Sequence, residues 1–317
     1  MTVLQNREED LAQRLLNGEV RALSRTLTLV ENQTELGAAL HRRLYANTGK
    51  AHIIGITGSP GAGKSSLVNE IALTLIKAGN KVAILAVDPS SPYSGGAVLG
   101  DRIRMDRAVE TDAIYVRSMA SRGALGGLSH TTTDAIDILD AAGFSHILVE
   151  TVGVGQGEVD IARAAHTSIV VLVPGMGDEV QVMKAGILEI ADIFVINKSD
   201  RPGVHALERE LRILMTLVMT EEKDWKIPIL KTIAIKAEGV EALVSAVTEH
   251  RVWLETSGIG AQQAVQYMSE RILALCSRGA VELIKKKYGA EVSSGVVACL
   301  ERKTDPHTIA RKIVNKI

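Results

Sequence analysis

Aromatic residues and cysteines are scarce in this chain of 317 residues. Aromatics make up 3% of it, so the core must be built from the aliphatic side chains that dominate a hydrophobic fraction of 46%. The two cysteines, Cys276 and Cys299, are too few for a disulfide framework and are not spaced as a metal-binding pair. This use of cysteine favours a reducing compartment.

Long apolar runs and an excess of one charge are also absent. No run of about 18 apolar residues occurs, so no membrane-spanning helix is expected. The start, Met1 to Asp10, is polar and lacks the basic and apolar pattern of a signal peptide. The formal net charge of −1 argues against a general binder of nucleic acid or membrane surfaces. We therefore expect a cytoplasmic protein that binds neither nucleic acid nor membrane.

Apolar periodicity divides the chain into three segments. In residues 1–50, Leu and Val recur every three to five positions, which predicts helices. In residues 51–258, continuous apolar runs of strand length alternate with helical stretches, which predicts an α/β fold with a mostly parallel sheet flanked by helices. Residues 259–317 are helical again. The predicted strands are Ile53–Thr57, Val82–Val87, Ala113–Arg117, Ile147–Val149, Ile169–Val173, Ile193–Ile196 and Ile227–Ile233.

Residues 58–65 match the phosphate-binding pattern G-x-x-x-x-G-K-[ST] between a predicted strand and a predicted helix. In such a loop, backbone N–H groups and the helix N-terminus face the phosphates. Lys64 is expected to reach the β- and γ-phosphates, and Ser65 to coordinate Mg²⁺. Ser59 stands where partition-type ATPases carry an extra Lys, which excludes that class. The predicted nucleotide-binding residues of this loop are Gly58, Ser59, Pro60, Gly61, Ala62, Gly63, Lys64, Ser65 and Ser66.

Three carboxylates are candidate ligands for the same Mg²⁺, which prefers hard oxygen donors. Asp88 and Glu150 end predicted strands, and ligands of a parallel sheet gather beyond the carboxyl ends of its strands. Asp101 follows a Gly-rich loop that is able to close over a nucleotide. The predicted metal site is therefore Ser65, Asp88, Asp101 and Glu150. The alternative for each carboxylate is an ordinary role in a turn or a cap.

The residues after Glu150 match the second switch of a GTPase. The pattern E-x-x-G follows an apolar strand, and the Gly153 N–H is expected to bind the γ-phosphate and to move when that phosphate leaves. Gln156 lies in the same glycine-rich loop. The predicted catalytic residues here are Lys64, Gly153 and Gln156.

The four residues from Asn197 to Asp200 read N-K-x-D at the end of a predicted strand, which predicts guanine recognition. The Asp200 carboxylate is suited to accept from guanine N1–H and the exocyclic amine, which adenine does not present together. Asn197 is expected to brace the loop, and the Lys198 stem to lie on the base. Ala234, after the last strand, is expected to offer its N–H to guanine O6. We therefore expect the bound nucleotide to be GTP or GDP. The alternative is that residues 197–200 form an ordinary turn that matches the motif by chance.

Four further segments are distinctive: V-D-P-S-S at 87–91, R-G-A-L-G-G-L-S at 122–129, V-E-T-V-G-V-G-Q at 149–156 and P-G-M-G-D-E-V-Q-V-M-K-A-G at 174–186. Together they resemble the methylmalonyl-CoA mutase-associated GTPases, the MeaB and ArgK group, and the resemblance covers about residues 10–260. One departure is Ile233, where Ser is usual before Ala234. The resemblance implies a P-loop GTPase that couples GTP binding and hydrolysis to adenosylcobalamin loading and protection of a B12-dependent acyl-CoA mutase.

The resemblance also implies partners and a third switch. The expected partners are an adenosylcobalamin-dependent acyl-CoA mutase and, as a second candidate, a cobalamin adenosyltransferase. A homodimer formed with the helices of 259–317 is expected as well. Residues 174–186 resemble an extra switch loop in which Asp178, Gln181 and Lys184 are candidate catalytic residues. Hydrolysis is expected to be slow alone and faster with the mutase.

Three other functions compete with this interpretation. A nickel-insertion GTPase needs Cys and His near the nucleotide, but no Cys precedes Cys276 and the eight His are scattered. A kinase needs an acceptor pocket and a base for the acceptor hydroxyl. A binding module without hydrolysis is the third alternative. The identity of the client mutase stays open.

Overall fold

The computed structural model describes residues 3–88, 113–120, 130–151, 161, 163–175, 190–218 and 225–316. The chain divides into two compact units, Met1–Ser257 and Gly258–Ile317. The first unit contains a seven-stranded sheet in the described part of the chain, and all of its strand pairs are parallel. The second unit is helical. The predicted α/β class, with a parallel sheet flanked by helices and with helical ends, is confirmed.

Three helices precede the sheet. They are α1 (Val3–Leu16), α2 (Val20–Glu31) and α3 (Glu35–Leu44). The hydroxyl of Thr34 caps α3 by accepting from the Gly37 N–H at 3.0 Å. Gly37 also allows α2 and α3 to approach closely, because a Cβ there would overlap the backbone oxygen of Leu29.

Helices follow several strands of the sheet in the described part of the chain. The described strands and helices, in chain order, are β1 (His52–Gly58), α4 (Lys64–Lys77), β2 (Val82–Asp88), β3 (Ile114–Ala120), α5 (His130–Ala141), β4 (His146–Thr151), β5 (Thr167–Leu172), β6 (Ile193–Asn197), α6 (Val204–Val218), β7 (Ile229–Thr232) and α7 (Val240–Ser257). The strands have the spatial order β3-β2-β4-β1-β5-β6-β7. Because all of the pairs are parallel, the carboxyl ends of the strands meet at one edge.

Both faces of the sheet are covered by apolar side chains, which explains why the strands are continuously apolar in sequence. All residues of β5 and β6 are buried. One core lies between the sheet and the helices α1, α2, α3 and α5, and another lies against α4 and α7. The cores are almost wholly aliphatic, and Phe194 is the largest fully buried side chain among the described residues.

The last strand is shorter than the predicted Ile227–Ile233. Pro228 has no N–H to donate, and β7 begins at the next residue, Ile229. The Pro228 carbonyl still accepts from the Phe194 N–H at 2.9 Å, so the chain is already alongside β6 there. Strand β3 runs from Ile114 to Ala120, three residues further than the predicted Ala113–Arg117.

The second unit consists of α8 (Ile259–Leu300) and α9 (Pro306–Val314). Asp305 caps α9 by accepting from the Thr308 N–H at 3.0 Å. The two helices pack closely at Gly295, where a Cβ would lie 2.6 Å from a methyl group of Ile309. Among the residues the structure describes, no helix combines the length and the apolar character that a membrane crossing needs.

Candidate functional site

The loop between β1 and α4 has the backbone of a phosphate cradle. Gly58, Gly61 and Gly63 have φ angles of +140°, +78° and +85°, which side-chain-bearing residues rarely adopt. Two of them also have no room for a side chain. A Cβ at Gly58 would overlap the backbone oxygen of Val171, and one at Gly63 would lie 2.6 Å from Nδ2 of Asn197. The sequence pattern thus places glycine where the backbone requires it.

Lys64 is folded back over this loop. Its side chain is 5% exposed, and Nζ donates to the carbonyl oxygens of Gly58 at 2.7 Å and Ser59 at 3.1 Å. Since Lys64 is the first residue of α4, its ammonium adds to the partial positive charge of that helix N-terminus. The arrangement concentrates positive charge at the glycine-rich loop, as the binding of a polyphosphate requires.

Ser65 and Glu150 meet beside the cradle. Ser65 Oγ donates to Glu150 Oε1 at 2.7 Å, and Glu150 is 5% exposed near the end of β4. A hydroxyl and a buried carboxylate are hard oxygen donors and fit Mg²⁺. Asp88 ends β2, next to β4, but its side chain lies outside what the structure describes. Asp101 lies wholly outside the described residues.

Asn197 connects the phosphate cradle to the predicted base-reading loop. It is 2% exposed at the end of β6, and Nδ2 donates to the Ala62 oxygen at 2.8 Å. Its Oδ1 accepts from Thr232 Oγ1 and from the Ala234 N–H, both at 3.1 Å. One amide side chain therefore holds the ends of β6 and β7 against the phosphate loop.

The other members of the predicted base site lie on the same edge. Lys198 has a φ of +54°, and its Nζ donates to the Gly61 oxygen at 2.7 Å, so its stem crosses towards the cradle. Asp200 is exposed in the turn that follows. The Ala234 N–H, assigned above to guanine O6, donates to Asn197 in this structure.

The remaining predicted catalytic residues lie outside the described part of the chain. They are Gly153, Gln156, Asp178, Gln181 and Lys184. One contributor was absent from the prediction, namely the Thr232 hydroxyl that orients Asn197. Thr232 lies opposite Asn197 because of the β6–β7 register, and the sequence alone carries no sign of that pairing.

Histidines gather at the opposite, amino-terminal edge of the sheet. The Thr167 hydroxyl lies 2.9 Å from His52 Nε2 and 2.9 Å from His250 Nδ1. Burial, with a smaller effect of nearby positive charges, lowers the pKa of His52 to about 2. Burial lowers the pKa of His250 to about 4, although Asp192 Oδ1 lies 3.5 Å from Nε2. These groups are distant in the fold from the phosphate cradle, so they belong to a separate feature.

A strand, a glycine-rich loop and a helix that opens with Lys and Ser are the defining parts of the P-loop nucleotide-binding class, and this chain is one of that class. Comparison with known proteins narrows the class. The chain belongs to the methylmalonyl-CoA mutase-associated GTPase family MeaB, whose family model matches residues 23–288.

Individual relatives agree with this family. A protein of Pyrococcus horikoshii that carries a provisional GTPase name is 43% identical over 314 residues, 98% of each chain. The mouse protein named methylmalonic aciduria type A homolog, mitochondrial, is 33% identical over 286 residues, 83% of this chain and 69% of its own. A crystal structure titled LAO/AO transport system kinase has a TM-score of 0.74 at 24% identity over 99% of both chains, a likeness of fold.

Proposed function

We propose that this GTPase couples binding and Mg²⁺-dependent hydrolysis of GTP to adenosylcobalamin loading and protection of an acyl-CoA mutase. Membership of a family described as methylmalonyl-CoA mutase-associated supports the mutase as partner. The mouse relative, whose name refers to methylmalonic aciduria, supports the same metabolic setting. A cobalamin adenosyltransferase is a second proposed partner. The structural observation that supports the proposal is the hydrogen bond from Asn197 Nδ2 to the Ala62 oxygen, here called the Asn197 bridge. It links the phosphate loop to the loop that contains Asp200.

Each described residue of the phosphate loop and its neighbour Glu150 has a proposed role in binding the phosphates or the metal. Lys64 leaves the two loop carbonyls to contact the β- and γ-phosphates, and the loop N–H groups bind the remaining oxygens. Ser65 and Glu150 hold the metal, directly or through water. When bound, Mg²⁺ neutralises charge on the β- and γ-phosphate oxygens. Asp88 and Asp101 complete the proposed metal neighbourhood.

Guanine selectivity is assigned to Asp200. Its exposed carboxylate follows the braced residue Asn197, so the backbone beneath it is fixed while its acceptors stay open to a ligand. If ATP were bound, the same carboxylate would face adenine, which lacks the paired N1–H and exocyclic amine donors of guanine. Selectivity of this kind separates a guanine-nucleotide switch from a general ATPase.

The second unit is proposed as the dimerisation segment. Helix α8 exposes large apolar side chains along much of its length, which is unusual for a helix that faces only water. A second copy of the chain would cover them. The most exposed are Val265, Ile272, Leu273, Val296, Val297 and Leu300.

The proposed function includes stimulation by the partner. We propose that Gly153, Gln156, Asp178, Gln181 and Lys184 take part in hydrolysis and that contact with the partner mutase speeds that step. The test is steady-state GTP turnover with and without a saturating adenosylcobalamin-dependent acyl-CoA mutase from the same host. We expect stimulation of at least ~10-fold, which corresponds to about 1.4 kcal/mol of barrier. No stimulation by any such mutase, or transfer of phosphate to a small acceptor, would contradict the proposal.

A further inference from the structure

Three potential metal ligands meet where α3 packs against α5, on the face of the sheet opposite α4. They are His41, Asp134 and Asp137. Each offers one ligand atom, and the three atoms lie within 4.8 Å of one another. In the described part of the chain, no other group of three or more His, Cys, Asp or Glu side chains comes so close together. None of the three belongs to the predicted nucleotide site.

Helical geometry brings these side chains together. Asp134 and Asp137 are three positions apart, so both lie on one side of α5. His41 lies in the last turn of α3 and contacts Asp137 across the two helices. Leu40, beside His41, and Ile138, beside Asp137, are both 0% exposed in the core below. The backbone that carries the three ligands is therefore held in place by packing.

The distances between the ligand atoms suit a small cation. His41 Nε2 lies 2.8 Å from Asp137 Oδ2 and 3.7 Å from Asp134 Oδ1. An imidazole nitrogen has a single N–H or lone pair, so it reaches one carboxylate at hydrogen-bond distance and not the other. Around a tetrahedral Zn²⁺ with ligands at about 2.1 Å, neighbouring ligand atoms are about 3.4 Å apart. The two separations lie on either side of that value, so small side-chain rotations bring all three groups onto one ion.

Burial and ligand chemistry also favour a bound ion at this place. The side chains of His41, Asp134 and Asp137 are 20%, 25% and 15% exposed, so an ion is able to enter from solvent although most of its surroundings are protein. Two ionised carboxylates beside a neutral imidazole carry two negative charges, which one divalent ion balances. A mixed set of nitrogen and oxygen ligands is typical of Zn²⁺ and similar ions, and three protein ligands leave a position for water.

We propose that His41, Asp134 and Asp137 bind a divalent transition-metal ion such as Zn²⁺, which ties α3 to α5. The site is structural and separate from the Mg²⁺ site proposed beside the phosphate loop, whose ligands are all oxygens. Because the ion binds the folded unit in preference to the unfolded chain, it raises the stability of that unit. The inference is independent of the proposed function, since it uses no residue of the nucleotide site.

The test is isothermal titration of Zn²⁺ into the whole nucleotide-free chain, stripped of metal and then kept in excess Mg²⁺ to fill sites made of oxygen ligands. We expect wild type to bind one equivalent with a micromolar or lower dissociation constant. His41→Gln and Asp137→Asn should each raise that constant by ~100-fold or more, because loss of a group that only supports a ligand already costs about 10–100-fold. His205→Gln, on the surface of α6, and Cys276→Ser, at an exposed thiol, are matched controls and should bind as wild type does.

Thermal midpoints distinguish a metal site from an ordinary ion pair. Zn²⁺ should raise the midpoint of wild type by several degrees and leave those of His41→Gln and Asp137→Asn unchanged. Asp134→Asn, at the most exposed of the three ligands, gives the same comparison if either of those variants does not fold. The metal site is overturned if wild type binds no Zn²⁺ or if the variants bind it as wild type does. It is equally overturned if the variants lower the metal-free midpoint while Zn²⁺ raises none, since the cluster is then a hydrogen-bonded ion pair alone.

Discussion

Ser65 Oγ lies 2.7 Å from Glu150 Oε1 and joins the first turn of α4 to the end of β4. The two residues are 85 positions apart in sequence. Glu150 is 5% exposed, and a buried carboxylate needs hydrogen bonds or a positive charge to remain ionised. A hydroxyl and a carboxylate are the oxygen donors that Mg²⁺ prefers, so the pair fits the metal site proposed between β4 and the phosphate loop.

We predict that Glu150→Gln lowers the apparent affinity for the Mg²⁺ that GTP hydrolysis requires. The neutral amide fills the same space but lacks the charge, so the Mg²⁺ concentration for half-maximal turnover should rise by ~10–100-fold, about 1.4–2.7 kcal/mol. The measurement is GTP turnover against Mg²⁺ concentration. Glu241→Gln, at an exposed position in the first turn of α7, is the control. An identical Mg²⁺ curve for Glu150→Gln would remove Glu150 from the metal site.

Asn197→Ala should damage both stability and nucleotide binding. The change leaves the buried Ala62 oxygen and Ala234 N–H without their partner, which we expect to lower the free energy of unfolding by about 2–4 kcal/mol. Denaturant titration measures this loss. Asn197→Asp separates the two contacts, because aspartate keeps the acceptor for Ala234 and loses the donor to Ala62. A wild-type midpoint for Asn197→Ala would show that the bridge is dispensable.

Asp200→Ala should lower the affinity for GTP by about 2–4 kcal/mol through the loss of charge-assisted hydrogen bonds to the base. The affinity for ATP should hardly change, because adenine does not use that carboxylate. Titration of both nucleotides into wild type and variant gives the comparison. Parallel losses for GTP and ATP would mean that Asp200 supports the loop and does not read the base.

The sequence predicted the sheet and the phosphate loop well because both depend on local patterns. Apolar runs identified every strand of the sheet, and the glycines at 58 and 63 follow the backbone of one continuous loop. The Asn197 bridge was predicted only as a brace of its own loop. Its contacts with Ala62 and Ala234 depend on the order and register of β1, β6 and β7, which no local pattern encodes.

The histidines illustrate the same limit. In sequence His52, His146 and His250 are scattered, and they were counted only as evidence against a nickel site. His52 and His146 begin β1 and β4, which lie next to each other in the sheet, and α7 brings His250 to the same edge. Histidines at the starts of two neighbouring parallel strands predict such a cluster, but the prediction requires the order of the strands in the sheet.

The cluster around Thr167 makes the first unit sensitive to acid. His52 and His250 are 2% and 1% exposed, and burial is the main cause of their lowered pKa values. His166, His146 and Arg251 also oppose protonation of His52, and Asp192 lies 3.5 Å from His250. Their pKa values in the folded protein, about 2 and about 4, lie below the ordinary value of 6.5. Below pH 6.5 the unfolded chain therefore binds protons that the folded chain does not, so stability falls as the pH falls.

We predict that the free energy of unfolding falls between pH 6.5 and pH 4, with about 1.4 kcal/mol per pH unit from each buried histidine that titrates only on unfolding. Above pH 6.5 this contribution is constant, since the histidines are neutral in both the folded and the unfolded state.

The variant His250→Gln tests this prediction, because it keeps a polar side chain at the site and cannot titrate. The slope of its free energy of unfolding against pH should be lower than that of wild type by the contribution of one proton, about 1.4 kcal/mol per pH unit. His205→Gln, on the exposed surface of α6, is the matched control. Denaturant titrations at pH 7.5, 6.5, 5.5 and 4.5 give the slopes, and only the slope is compared, because His250→Gln also alters the contact with Thr167 at every pH. A wild-type slope for His250→Gln would show that His250 titrates in the folded protein and that its burial does not set the acid limit of this fold.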